Sequence, residues 1–511
     1  MADRIVQQPQ TATAQAHFSQ LPTADIERST FDAGQIIPFY LDEVLPGDTF
    51  NMNATLFVRM ATPINPLFDN IQCDIHYFFV PNRIVWDNWQ FFMGERKDPE
   101  DDPSTVKIPE ALINLDQIEG TLSDYFGLPL TETPVSVGVN GLPFRGYIKI
   151  FDDWYRDQNL RDSINLPTDD LDFAATGYVP QFRAKRKDYF TSALPWPQKG
   201  DPVFLPLQTS APVIPAGTGA PSFDSPDGAL GFLQQLSGAG NNAEFQNDVV
   251  QAGAGVASWG DPALQADLTE ATAATINDLR TSFQIQRMLE RDARGGTRYI
   301  EIILSHFGVQ SADARLQRPE YLGGGNGMIN INPIAQTTPT GIVANVTPQG
   351  NLAAVASGVI KGGFNHSFTE HGFVFGMVSA RADLTYQNGI DRMWSRATRY
   401  DYYWPTLAHL GEQQILNQEI FVDGTATDLE TWGYQERYAE YRYRPGRITG
   451  LMRSNVNESL DAWHLAQDFD TLPALNSEFI QEKPPIDRVV AVPTEPDFIM
   501  DGWLDLKCTR P

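Results

Sequence analysis

Cysteine is almost missing. The 511 residues hold only Cys73 and Cys508, so neither a disulfide framework nor a four-cysteine metal site can be drawn. Positive charge is scarce too: 37 Lys and Arg stand against 64 Asp and Glu, a net charge of −27. That balance keeps a concentrated protein soluble and argues against a surface broadly attractive to nucleic acid or anionic membrane. No run approaches the roughly 18 apolar residues of a membrane span. Leu352 to Ile360 is among the most apolar stretches, and Ser357 and Gly358 break it. The N-terminal Met-Ala-Asp-Arg-Ile-Val-Gln-Gln-Pro has no signal-peptide core, so synthesis in a reducing cytoplasm is expected.

Catalytic signatures are missing as well. No Gly-Lys dipeptide occurs, hence no Walker-type phosphate loop, and there is no Gly-x-Ser-x-Gly, His-Glu-x-x-His or Cys-x-x-Cys. The run Gly323-Gly324-Gly325-Asn326-Gly327 does not fit dinucleotide spacing and reads as a flexible turn. His366 and His371 flank Glu370, but a spacing of five puts them on opposite faces of a strand. Asp169, Asp170 and Asp172 read as an acidic loop facing solvent rather than a hard-cation site. No enzyme activity, cofactor or metal is expected.

What is present is a core. Apolar residues make up 42% of the chain and charged residues 20%, which excludes wholesale disorder. Residues 1–30, rich in Gln, Thr, Ala and Pro, read as an extended arm, ordered only where a neighbour holds it. Phe50, Met52, Ala54, Leu56, Val58 and Met60 alternate with Asn51, Asn53, Thr55, Phe57 and Arg59, the period of a strand with one buried face. Cys73, Ile75, Tyr77 and Phe79 alternate again. The segment Arg83 to Gly94 suits a short aromatic helix or ordered loop. A helix is expected from Thr275 to Gly295-Gly296; Ile300 to Phe307 fits helix or strand equally. Gly372 to Ala380 is apolar on both faces, as in an interior strand. Strands spread over the whole length predict an all-β body of two packed antiparallel sheets, residues 31–199 and 276–511, with long loops.

Two charge features stand out. From Gly200 to Leu279 there is no Lys or Arg, while nine acids appear. Residues 200–275 therefore read as a surface insertion outside the main core. Within it, Asp224, Asp227, Phe232, Glu244, Asp248 and Trp259 are candidates for outside contacts. The densest basic cluster is Arg183, Lys185, Arg186 and Lys187. Near the C-terminus, Arg437, Arg442, Arg444 and Arg447 interleave with Tyr438, Tyr441 and Tyr443, and Arg381, Arg392, Arg396 and Arg399 form a second such group. Planar cations between aromatics could stack bases and neutralise phosphates, or form protein–protein hot spots. In so acidic a chain the second reading leads.

Longer blocks resemble the major capsid proteins of gokushoviruses, small single-stranded DNA phages of the microvirus family. They include Ile36-Ile-Pro-Phe-Tyr-Leu-Asp-Glu-Val-Leu-Pro-Gly-Asp-Thr-Phe50, Phe79-Val-Pro-Asn-Arg-Ile-Val-Trp-Asp-Asn-Trp89 and Asp188-Tyr-Phe-Thr-Ser-Ala-Leu-Pro-Trp-Pro-Gln-Lys-Gly200. Glu290-Arg-Asp-Ala-Arg-Gly-Gly-Thr-Arg-Tyr299, Gln317-Arg-Pro-Glu-Tyr-Leu-Gly323, Gly433-Tyr-Gln-Glu-Arg-Tyr-Ala-Glu-Tyr-Arg442 and Asp461-Ala-Trp-His-Leu-Ala-Gln-Asp-Phe469 continue the match.

The resemblance implies an eight-stranded antiparallel jelly roll with long loop insertions and a few helices. It implies sixty copies closing into a T=1 icosahedral shell around single-stranded DNA, so that the chain resides in the virion after assembly in the host bacterial cytoplasm. It further implies an internal scaffolding protein, a minor pilot protein and a small basic DNA-associated protein as partners. The 200–275 insertion would form a threefold protrusion facing a host surface receptor. Relatives are expected to continue past the equivalent of Cys508-Thr-Arg-Pro511. The reading from a different class is a soluble β-sandwich that binds carbohydrate or processes glycosides, with converging acids in a concave site.

Overall fold

The computed structural model describes residues 19–510, except 97, 99, 165–166, 176, 297–298, 309–316, 338–349, 409 and, within 204–275, all but six short strands. The chain divides into two compact units, residues 1–197 with 297–511, and residues 198–296.

The first unit is built on eight long strands: β1 (Ser19–Phe31), β2 (Ile37–Val44), β3 (Thr49–Met60), β4 (Ile71–Pro81), β5 (Glu320–Ala335), β6 (Leu352–Ser367), β7 (Gly372–Ala382) and β8 (Phe498–Arg510). They form one antiparallel sheet in the order β1-β8-β3-β6-β5-β4-β7-β2. The end strands β1 and β2 lie against each other, so the sheet rolls almost shut. The expected two sheets are thus one continuous sheet folded onto a single core, a jelly roll. Rolling protects the long edges that an open sheet would expose.

Alternation places the core. On β3, Phe50, Met52, Ala54, Leu56, Val58 and Met60 are buried, and on β8 so are Phe498, Met500, Leu504, Leu506 and Cys508. Both sets join one cluster with Cys73, Ile75, Tyr77, Ile360, Val374 and Val378. The β2–β3 corner is turned by Gly47 at φ +99°. Asp48 closes it, accepting from the Leu45 N–H at 3.0 Å.

Strand β7 is buried on both faces because it separates two cores. Its outward residues Phe373, Phe375 and Met377 pack against a layer drawn from residues 84–178. The centre of that layer is helix α1 (Leu142–Ile150), started by Pro143 and by the Asn140 side chain accepting from the Leu142 N–H at 2.9 Å. Gly146 lets the helix approach: a Cβ there would sit 2.7 Å from the Phe375 ring. The Arg83–Gly94 segment supplies short helices at Asn82–Ile84 and Trp89–Phe92.

Two expectations change. The Gly323–Gly327 run is not a flexible turn but the middle of β5, bonded to β4 on one side and β6 on the other. A side chain at Gly324 would overlap the Ile75 carbonyl, and one at Gly325 the Lys361 carbonyl. The glycines serve close backbone approach, not freedom to bend. Of the N-terminal arm, residues 1–18 lie outside the described residues; from Ser19 on it is held by the chain's own β8, paired with it from Ser19 to Phe31.

In the second unit, helix α2 spans Ile276–Arg294. Gly295 donates to the Arg291 carbonyl at 2.7 Å, and Gly296 takes φ +100°. Strand Ser222–Ser225 lies between Gly228–Gln235 and Ser258–Asp261, and Ala243–Phe245 pairs with Gly228–Gln235. Back in the first unit, Tyr299–Phe307 is helical (α3), not extended.

Candidate interaction surface

The loops between β7 and β8 fold around a third core of Tyr189, Phe190, Tyr386, Ile415, Ile420, Trp432 and Phe479. Apart from Arg381, which is on β7, the two Arg-rich groups lie here. A ladder of Glu412–Leu416 with Thr431–Glu436 leads into one of them, Arg437 to Arg447. At its exit Tyr438 adopts φ +65° and is buried, its hydroxyl donating to the Tyr400 carbonyl at 3.1 Å. That left-handed residue turns the chain so that Tyr441 emerges beside Tyr403, with ring centroids 6.2 Å apart.

The outcome is an exposed aromatic platform. Trp394 is 75% exposed, and Tyr400, Tyr402, Tyr403, Trp404 and Tyr441 are all exposed. Arginines lock it: Arg396 lies 4.4 Å from the Tyr441 ring centroid and 5.4 Å from that of Tyr402, and pairs with Glu440 at 3.3 Å. Trp404 Nε1 donates to the Arg399 carbonyl at 2.8 Å. Rigid aromatics held from behind and open in front are the composition of a binding hot spot.

Beside Trp394 opens a cavity of about 470 Å³. Its acids do not converge on empty space. Glu419 accepts from Arg392 at 2.7 Å, from the Tyr189 hydroxyl at 2.8 Å and from the Leu416 N–H at 2.9 Å. Burial raises its pKa, opposed first by Arg392. Asp391 holds Arg447 at 2.8 Å, and Glu440 holds Arg396. Each carboxylate has its own guanidinium, an arrangement that stiffens a surface rather than transferring protons.

The singled-out cations separate into two groups. Arg183 donates to Asp74 at 2.9 Å. Lys185 is buried over the Phe479 ring, 4.6 Å from its centroid, where burial lowers its pKa and raises that of neighbouring Glu482. Lys187 bonds Asp157 and the Thr191 carbonyl, and Arg186 is exposed. Arg442 pairs with Glu436. Arg437 stacks on Tyr438, 5.1 Å from its ring centroid. Arg444 is exposed and makes no ion pair with another described residue. Tyr443 is half-buried against the third core.

In the second unit, the backbones of Asp224, Phe232, Glu244 and Trp259 lie in its small strands, whereas Asp227 and Asp248 fall outside the described residues. Sequence reading missed the Trp394 and Tyr400–Trp404 platform. The run Tyr-Asp-Tyr-Tyr-Trp at 400–404 was its only signal, since it follows no strand or helix period. No group of three or more metal-ligating side chains occurs among the described residues, and no described helix is long and apolar enough to cross a membrane.

Comparison with known proteins adds kinship. The family described as "Capsid protein (F protein)" matches residues 9–511. The chain is 45% identical to Capsid protein VP1 of Bdellovibrio phage phiMH2K, over 97% of this chain and 96% of that one. It is 41% identical to Capsid protein VP1 of Chlamydia phage 1 over the same shares, and 38% identical to that of Spiroplasma virus 4 over 90% and 87%.

Proposed function

The chain belongs to the phage capsid protein (F protein) family, and from that premise we propose that sixty copies close into a T=1 shell around a single-stranded DNA genome. It is a structural protein of the virion and not an enzyme. The observation that supports the assembly reading is the set of exposed aromatic side chains at Trp394 and Tyr400–Trp404, which a contact with a neighbouring copy would take out of water. Identical copies bring such patches together through heterologous contacts that close on themselves. A surface of order 1,000 Å² per contact suffices, because each subunit is held by several neighbours at once.

The net charge of −27 calls for segregation. Acid gathers on the exterior, above all in the cation-free 200–275 segment, and a separate small basic protein neutralises most of the phosphate. Arg186, Arg442, Arg444 and Arg447, all exposed residues, are the cations left to face neighbours or cargo. Arg183 and Lys185 are committed to the subunit's own interior. An internal scaffolding protein and a minor pilot protein complete the assembly, which takes place in the host bacterial cytoplasm. The 200–275 segment, through Asp224, Asp227, Phe232, Glu244, Asp248 and Trp259, is the part offered to a host receptor as a threefold protrusion.

Negative-stain microscopy of the purified chain tests the shell: closed particles of one size support it, and a persistent monomer overturns it. Deleting residues 209–266 tests the insertion. Shells that form but no longer attach to cells are expected. Loss of shells would make the segment structural instead.

A further inference from the structure

The two halves of the roll differ on their outer faces. The α1 layer covers β4 and β7, whereas the outward residues of β8, β3 and β6, with Ile26 of β1 and Met328 of β5, are exposed or half-buried. Register lines them up. Ile26 of β1 faces Trp503 of β8, which faces Thr55 of β3; one row on, Asp501 faces Phe57, which faces Val359 of β6. Ile26, Phe57, Met328, Val359, Ile499 and Trp503 are each between 46% and 57% exposed. Six large apolar side chains at sheet positions normally given to polar residues form a patch, not scatter.

The same face is cationic in an acidic protein. Arg59, Lys361 and Lys507 alternate with these residues, and none pairs with a described carboxylate. Of the two outward acids of β8, Asp501 is held by Arg28 at 3.1 Å, leaving Asp505 as the opposing charge. Trp503 and Phe57 stand on adjacent strands, diagonal to one another, about 7–8 Å apart, within reach of consecutive bases of one strand.

We propose that this open face is where the subunit holds single-stranded DNA: bases stack on Trp503 and Phe57, and phosphates lie against Arg59, Lys361 and Lys507. The proposal deepens the reading that the shell encloses such a genome, and rests on it. Charge selects the occupant. A small basic protein would meet three unpaired cations, whereas a polyanion with flat apolar bases satisfies both the rings and the charges. Only a few phosphates are bound per subunit, as a chain of −27 requires.

Ultraviolet cross-linking of genome-filled particles, followed by peptide mapping, is the direct test. Nucleotide adducts on Trp503 or Phe57 support the proposal. DNA-filled particles with adducts only elsewhere overturn it while leaving the capsid reading intact, and closed particles that never contain DNA overturn both. A second test titrates full-length subunits with oligothymidylate. Trp503→Ala should weaken binding about 10-fold, and Arg59→Gln with Lys361→Gln should shrink the salt slope by about 1.4. Unchanged affinity and slope in folded variants overturn the proposal. So does loss of shells by folded Trp503→Ala, which would make the face a contact between copies.

Discussion

Arg183 donates to Asp74 at 2.9 Å, from the densest basic cluster of the chain to an acid on β4 that is 4% exposed. Arg381 of β7 reaches the same oxygen at 3.1 Å. One carboxylate thus ties the loop at 183 to two neighbouring strands. A cluster that looks like a ligand site in the sequence is here part of the frame on which the surface loops sit.

Removing that carboxylate leaves two mostly buried guanidinium groups facing each other. Asp74→Asn should therefore destabilise the subunit by about 3 kcal/mol. Asp501→Asn, which frees only the exposed Arg28, should cost under about 1 kcal/mol. Chemical denaturation of the two variants checks the contrast. Equal losses would mean that the Asp74 carboxylate is not the tie described.

Gly325 gives the second expectation. Its missing side chain makes room for the backbone of β6 at Lys361 and Gly362, so Gly325→Ala must push two central strands apart. A loss beyond about 3 kcal/mol is expected, seen as insoluble protein or a collapsed thermal midpoint. Gly350→Ala has nothing within 4 Å of the added Cβ, only φ +86° to strain it, and should remain folded.

These cases indicate what the sequence could carry. Strand β3 was legible because one face is core and the other water, so its residues alternate. Strand β7 was legible by its unbroken apolar run, though the reason, a second core on its outer face, was not. The glycines of β5 misled because permissive residues mark turns and tight packing alike, and only the neighbouring backbones distinguish the two. The Arg–Tyr composition was visible from 431 to 453, but the pairing of Arg396 with Glu440 and of Arg442 with Glu436 depends on how loops distant in sequence meet. Phe57 and Trp503 were hidden by alternation itself, which assigns their positions to solvent.

A pH dependence follows from Asp497, at the start of β8. Burial pushes its carboxyl up to about 6, against the Ala33 N–H, which donates at 2.9 Å and favours the charge; Asp32 adds repulsion. A raised carboxyl pKa means that the folded chain holds the proton more tightly than the unfolded one, so stability falls as pH rises between about 4 and 6. Asp497→Asn should match the unsubstituted chain near pH 4 and be the more stable above pH 6. Thermal midpoints across that range read the difference, and parallel curves would refute it.

Trp394 gives the sharpest test of the aromatic platform. With 75% of its surface in water, its indole contributes little to the stability of a lone subunit, so Trp394→Ala should change the thermal midpoint of unassembled protein hardly at all. In a shell the same side chain would be enclosed against a neighbour, where truncating a central tryptophan costs about 2 kcal/mol per contact. That energy corresponds to a roughly 30-fold weaker contact, multiplied because every subunit makes several. The variant is therefore expected to stay folded and soluble while the concentration needed for shells rises at least that far, read by sedimentation across a dilution series. Arg396→Gln should act in the same direction through a different cause: it frees Tyr402 and Tyr441 from the cation that orders them, so the contact pays an ordering cost on binding that the unsubstituted surface does not. Variants that unfold would show that the platform holds up the third core. Variants that assemble at the unsubstituted concentration would remove the platform from the interface.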